Sequence, residues 1–279
     1  MTTNSGDDAV NDNNPFRPPE ADIAPVYPRT EADLETFHPP RTVTAGRGWD
    51  WFVESWPMFT ANPWLWIGLL LVIAAAVMAI GMLPVISLLG SWLVPMFMGG
   101  WVFCCHRLAT DGEFLFEDLF APFTRRFRSM AILSLIYLGL NLATTFIAMV
   151  ITIGLGLLFG MSIGFGSDFA FDPGWDIGFL LLVVAIGFLV YMALFIPVLM
   201  LIWFAPTLVM LHDVAPLEAM KVSFRGCIKN IIPFTIYGLV GTALMIVGAI
   251  PLFLGWLVVY PLFFHTVYVA YRDIFIETD

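Results

Sequence analysis

Trp64-Leu65-Trp66-Ile67-Gly68-Leu69-Leu70-Leu71-Val72-Ile73-Ala74-Ala75-Ala76-Val77-Met78-Ala79-Ile80-Gly81-Met82-Leu83 runs without a single charge, and its reading decides the fold. A helix of about 20 apolar residues rises about 30 Å, the thickness of a bilayer's hydrocarbon core. The ten Leu, Ile and Val residues of the run favour insertion by about 3–6 kcal/mol. Nothing in the run opposes them.

The pattern recurs. Ser55 to Cys105, Ser129 to Ser167, Ile177 to Leu211 and Asn230 to Tyr271 contain no Asp, Glu, Lys or Arg. Hydrophobic residues make up 59% of the 279-residue chain and charged ones 12%, against roughly 25% charged in a soluble domain. No water-soluble core hides so much apolar surface. The fold class expected is all-α: a polytopic membrane helix bundle of about six transmembrane helices, with interfacial amphipathic helices beside it. The helices are placed at about 64–83, 85–105, 130–151, 177–199, 231–250 and 252–271. Leu83-Pro84 and Ile250-Pro251 make tight turns, and Pro95 predicts a kink in the second helix. The runs 129–167 and 177–211 exceed one crossing. Eight helices would also keep the cations on one side, but would put an arginine-free acidic loop (Asp168, Asp172, Asp176) there too. Six is the expectation, with the excess as extended, interfacial or re-entrant helix.

Orientation follows from the cations. Arg17, Arg29, Arg41 and Arg47 precede the first helix, and Arg107, Arg125, Arg126 and Arg128 follow the second. Lys221, Arg225 and Lys229 follow the fourth, Arg272 follows the sixth, and the other loops have none. The positive-inside rule places both termini in the cytoplasm. Residues 1–48 lack an apolar signal-peptide core, so the first helix is expected to serve as an uncleaved insertion signal. These residues hold seven prolines and eight acidic groups and read as a disordered, Pro-rich acidic tail. Asn14-Pro15-Phe16-Arg17-Pro18-Pro19 has polyproline character, but a solvated tether accounts for it. The membrane domain is expected over 49–276.

Two segments read as interfacial helices. Trp49, Phe52, Val53, Trp56 and Phe59 fall on one face, with Asp50, Glu54 and Ser55 opposite. Later, Pro216 opens a helix in which Leu217, Met220, Phe224 and Ile228 share a face. Ser55 precedes Asn62 by seven residues and Ser223 precedes Asn230 by seven, each Asn leading into an apolar hairpin. With a looser third copy in the middle, this suggests a parallel repeat, although apolar segments also resemble one another by chance.

Polar groups within the expected helices are few. Asn141, Thr144 and Thr145 share one face of the third helix, and His265 lies in the sixth. These are candidate intramembrane polar contacts, explained most simply as hydrogen bonds between packed helices. Arg125, Arg126 and Arg128 are candidate anionic-lipid contacts, worth about 1 kcal/mol each, although their topogenic role alone accounts for them. Gly156-x-x-x-Gly160 is a candidate close-packing face. His38, His106 and His212 read as isolated, and no Cys–His or His–Glu spacing fits a metal site. No catalytic, cofactor-binding or metal-binding residue is expected. Cys104, Cys105 and Cys227 lie near the cytoplasmic boundary, where thiols stay reduced. The net charge of −10 without a basic patch argues against nucleic acid.

Ala45-Gly46-Arg47-Gly48-Trp49, Trp203-Phe204-Ala205-Pro206, Pro216-Leu217-Glu218-Ala219-Met220 and Tyr271-Arg272-Asp273-Ile274-Phe275 give the chain a further likeness. Over about residues 45–276 it resembles a family of uncharacterised proteobacterial inner-membrane proteins with six helices. More distantly it is similar to YciC-type multi-pass proteins and to the membrane domain of some glycerophosphodiester phosphodiesterases. The catalytic domain of the latter has no counterpart in the sequence, so the resemblance implies a bacterial inner membrane and no site residues. The expected function is therefore non-enzymatic, through helix packing, contact with membrane lipids, or binding a second copy or another membrane protein. The alternative is a transporter or permease for a small or amphipathic solute, motivated by proline-interrupted helices and weakened by the sparse intramembrane polarity.

Overall fold

The computed structural model describes residues 38–82, 87–163 and 173–276, and every regular element in them is a helix. Helix α1 (Arg47–Ala61) meets α2 (Pro63–Gly81) at 99° across Asn62. Pro63 fits the first turn of α2 because the amide it lacks would have no partner there. Next come α3 (Ser87–Asp111), a 3₁₀ turn (Phe116–Phe120) and the short α4 (Ala121–Thr124). The long α5 (Phe127–Ile163) and α6 (Pro173–Ile202) follow, then α7 (Ala205–His212), α8 (Pro216–Lys229), α9 (Ile231–Ala249) and α10 (Trp256–Phe275).

Long helices α2, α3, α5, α6, α9 and α10 stand where six were expected. By length and composition, three stretches among the described residues qualify as membrane spans: Phe127–Leu158, Gly178–His212 and Ile231–Ala249. The bent α1–α2 pair adds a fourth if it is counted as one span. Of the excess apolar length of the middle pair, that of α5 is extended helix, unbroken over 37 residues, whereas α6 is unbroken over 30 and the rest of its run continues past a break as α7. The Leu83-Pro84 turn and the loop carrying Asp168 and Asp172 lie outside the described residues.

The tail boundary shifts. Residues 1–37 of the expected tail lie outside the described residues, whereas 38–46 are bound to the helices and α1 already begins at Arg47. A strap with few apolar side chains is held because its backbone groups and arginines find buried partners, which composition does not register.

Helix α10 is central and touches α1, α2, α3 and α9. Its own Tyr271 and Phe275 are fully buried, as are Trp51, Trp66 and Trp101 on the helices it touches. The amphipathic helices divide their surfaces in three. In α1, Gly48, Trp51, Phe52, Ser55 and Phe59 are buried, while Trp49, Val53 and Trp56 remain exposed. In α8 the side packed on the protein is largely distinct from the apolar face read as interfacial, and only Met220 belongs to both. Ala219, Met220, Val222, Ser223, Gly226 and Cys227 are buried, and Leu217 and Ile228 are left outside. Small side chains decide this: a Cβ on Gly226 would lie 2.7 Å from Cζ of Phe275. In the α5–α6 pair a Cβ on Gly187 would press on Thr152, and Gly156 faces Val183. The surroundings of Gly160 lie outside the described residues.

Gly48 sets the approach of α1 to α9. A Cβ there would overlap the carbonyl oxygen of Pro233 and lie 2.8 Å from the amide nitrogen of Tyr237. Both are backbone atoms, so neither can swing aside. Gly48→Ala is therefore expected to destabilise the detergent-solubilised protein by about 1–3 kcal/mol. Gly46→Ala, whose Cβ would meet nothing within 4 Å, should be close to neutral. Indistinguishable melting of the two variants would rule out this packing.

Candidate functional site

The last carbonyls of a helix have no partners within it, and its C-terminus carries partial negative charge. Helix α10 adds a carboxylate to that end: Asp273 lies in its last turn and is 2% exposed. Both liabilities are met by the strap and α1. Arg41 Nη2 donates to Asp273 Oδ1 at 2.9 Å, while Arg41 Nε donates to the Asp273 carbonyl at 2.5 Å. Arg47 Nε and Trp51 Nε1 donate to Oδ2 at 2.6 and 2.8 Å. The amides of Arg41 and His38 donate to the carbonyls of Ile274 and Phe275, both at 3.0 Å. The far side of the Arg47 guanidinium is held by Glu54 at 2.6 and 3.1 Å.

Asn230 does the same for the junction of α8 and α9. Its side chain is fully buried. Its Oδ1 accepts the amide of Val43 at 2.8 Å, and its Nδ2 donates to the carbonyls of Arg41 and Gly226, both at 2.9 Å. Lys229 Nζ donates to the Pro40 carbonyl at 2.9 Å. The strap is thus hydrogen-bonded to the ends of both α8 and α10. Such a buried network contributes only when all its members are satisfied. Open clefts of about 570 and 460 Å³ flank it, sharing Glu54 and bounded by Arg47 and Asp273 on one side and Tyr268 and Arg272 on the other.

A third set of bonds adjoins these. Ser223 Oγ accepts the amide of Phe204 at 2.9 Å and donates to the Met200 carbonyl at 2.7 Å, bridging the break between α6 and α7. The Phe204 ring meets Phe275 edge-on with centroids 5.2 Å apart. His106 Nδ1 lies 3.3 Å from the Tyr268 hydroxyl, and His212 pairs with the Tyr271 hydroxyl. Two of the three histidines read as isolated in the sequence, His106 and His212, are therefore each fixed on a tyrosine of α10, neighbours by one turn. Among the described residues no group of three or more His, Cys, Asp or Glu is arranged to hold a metal.

The candidate polar residues are dispersed. Thr144 is buried, and Thr145 is exposed with its hydroxyl donating to the Asn141 carbonyl at 2.9 Å. No hydrogen bond from these three to another helix is found among the described residues. His265 is fully buried, but neither ring nitrogen has a hydrogen-bond partner there. Its ring instead stands nearly edge-on to Trp66, with centroids 4.3 Å apart, the arrangement of an N–H···π contact. Of the three clustered arginines, Arg126 is paired with Asp213, Arg125 lies 4.9 Å over the Phe103 ring, and Arg128 is exposed.

Arg41, Arg47, Trp51, Asn230 and Asp273 went unread as a site because they lie up to 232 residues apart in sequence. One local signal was available: an acidic residue in the last turn of a helix opposes the dipole and so needs cations from elsewhere. The segments that carry the family resemblance meet here too, with Arg47 on Asp273 and Phe204 on Phe275.

One relative, a probable inner membrane protein of Burkholderia thailandensis, is 30% identical over 211 residues, spanning 72% of this chain and 74% of the relative. The chain belongs to the same family and is a probable multi-pass inner membrane protein. No family model matches it, and no solved structure does.

Removing one partner from a buried charge pair costs about 3–5 kcal/mol. Because Arg41 and Arg47 stay partly in water, Asp273→Asn is expected to cost about 2–3 kcal/mol. Truncation through residue 43, silent if the strap were free, should cost a comparable amount by removing Arg41 and the Val43 amide. Thermal unfolding in detergent reads both, and wild-type stability in either variant would contradict the node.

Proposed function

We propose that this family member crosses the inner membrane six times, with both termini in the cytoplasm, and acts without catalysis through helix packing, lipid contact or binding of another membrane protein or a second copy. The observation that supports this reading is where the polar bonds join the chain. Arg41 and Arg47 reach Asp273, Lys229 and Asn230 hold the strap, and Arg126 meets Asp213. These bonds link the segment before α1, the α4–α5 connection, the α7–α8 connection, the α8–α9 junction and the end of α10. Elements joined this way share one end of the bundle, as three hairpins entering from one side require. The cations gathered at that end assign it to the cytoplasm by the positive-inside rule. Lipid contact is supported by α5 and α6, whose apolar stretches are almost uncovered by protein.

Thiol labelling tests the topology without engineering a new background. Cys104, Cys105 and Cys227 are free and buried, and burial pushes the Cys227 thiol up to about 12, against a smaller opposing effect of its Ser223 hydrogen bond. At neutral pH that thiol stays protonated and unreactive. An impermeant maleimide applied outside intact inner membranes should label Ser167→Cys, in the α5–α6 connection, but not Arg225→Cys on α8. Labelling of Arg225→Cys from outside would reverse the orientation, and labelling of neither before or after permeabilisation would count against the hairpin layout.

A further inference from the structure

Helix α8 packs with its small residues, and this leaves a second amphipathic surface facing outward. Leu217, Lys221, Phe224 and Ile228 follow at helical spacing along one stripe. Leu217 is 61% and Ile228 51% exposed, and Phe224 is half-buried. Arg225 flanks the stripe, exposed and without an ion pair among the described residues. Lys221 has one carboxylate neighbour, Glu218 at 3.5 Å, and both are well exposed. The stripe runs on into Ile231 and Ile232, exposed at the start of α9, and α9 is long and apolar enough to cross a membrane. The surface is therefore continuous with the flank of a spanning helix.

Helix α1 shows by contrast what the cations add. At 100° per residue its outer stripe of Trp49, Val53 and Trp56 is displaced from the core-facing side in the same rotational sense as the outer stripe of α8. Both stripes suit the depth of the headgroups, but that of α1 contains no Lys or Arg. Of these two helices, α8 is the one that places long cationic side chains beside its apolar anchors, where their stems cover hydrocarbon and their heads reach phosphate.

We propose that the outer face of α8 binds anionic phospholipid headgroups of the leaflet it lies against, with Lys221 and Arg225 as the cationic contacts. The assignment rests on the interfacial, cytoplasmic placement of α8 above and names the lipid class it selects. It also moves the lipid site away from Arg125 and Arg126, which the Phe103 ring and Asp213 already engage.

The test uses the full chain in nanodiscs of phosphatidylcholine alone or of phosphatidylcholine and phosphatidylglycerol in equal parts. The phosphatidylglycerol retained after detergent extraction is measured by native mass spectrometry. Each basic contact is expected to contribute about fivefold to retention, so Lys221→Gln with Arg225→Gln should lower it about 25-fold. Arg128→Gln should change it little. An environment-sensitive fluorophore on Leu217→Cys should report an apolar surround in both lipids. Undiminished retention in the double variant, or a loss confined to Arg128→Gln, would overturn the lipid site. A water-exposed fluorophore would overturn the placement of α8, and extraction of the protein by alkaline carbonate would instead overturn the membrane-spanning reading.

Discussion

A carboxylate buried at the negative end of a helix is the demand around which this domain is arranged. Asp273 combines a desolvated charge with the unpaired carbonyls of the last turn of α10, and each alone would be costly. The partners come from the other end of the chain, as two guanidiniums, an indole N–H and the backbone of the strap. Joining the first and last described segments fixes α1 across α9 and α10, and Asn230 extends the same tie to α8. Replacing such a network with apolar side chains can leave stability unchanged. What the polar version adds is a single register for the strap, since its donors and acceptors match the helix ends in one alignment.

The bilayer supplies the second constraint, and the candidate spans meet it unequally. Helix α9, at 19 residues, rises about 28 Å and matches a hydrocarbon core of about 30 Å. Helix α5, at 37 residues, rises about 55 Å, so it tilts steeply or extends past the core. Its partner is α6, and glycine against threonine and valine lets the two helices approach closely where lipid gives no hydrophobic drive for association. The order of an amphipathic helix followed by two long ones occurs in α1–α3 and again in α8–α10. The side-chain chemistry does not repeat: Asn230 is a buried hub, whereas Asn62 is exposed and its carbonyl caps the start of α2.

The helices were legible because an absence of charge over about 20 residues is a local property with one dominant cause. The unbroken length of α5 was not, since composition alone does not separate a long helix from two crossings. The packed face of α8 went unread because hydropathy ranks Leu217 and Ile228 above Ala219, Ser223 and Gly226, whereas close approach to Phe275 rewards small volume. His265 was expected to bond a neighbouring helix, but the aromatic side chains of α2 and α3 enclose it first. The node was invisible for another reason. Arg41 and Arg47 were accounted for by topology, which explains why they lie on that side and leaves open what they touch.

Hydrogen exchange on the amides of His38, Arg41 and Val43 bears most directly on the claim that the strap is locked to the helix ends. Each donates to an acceptor at the end of α8 or α10. In the reconstituted full-length protein their protection should match that of the last turn of α10, and the three should be lost together when the domain opens. Exchange at the rate of an unstructured peptide, with α10 still protected, would show that the strap is not part of the fold.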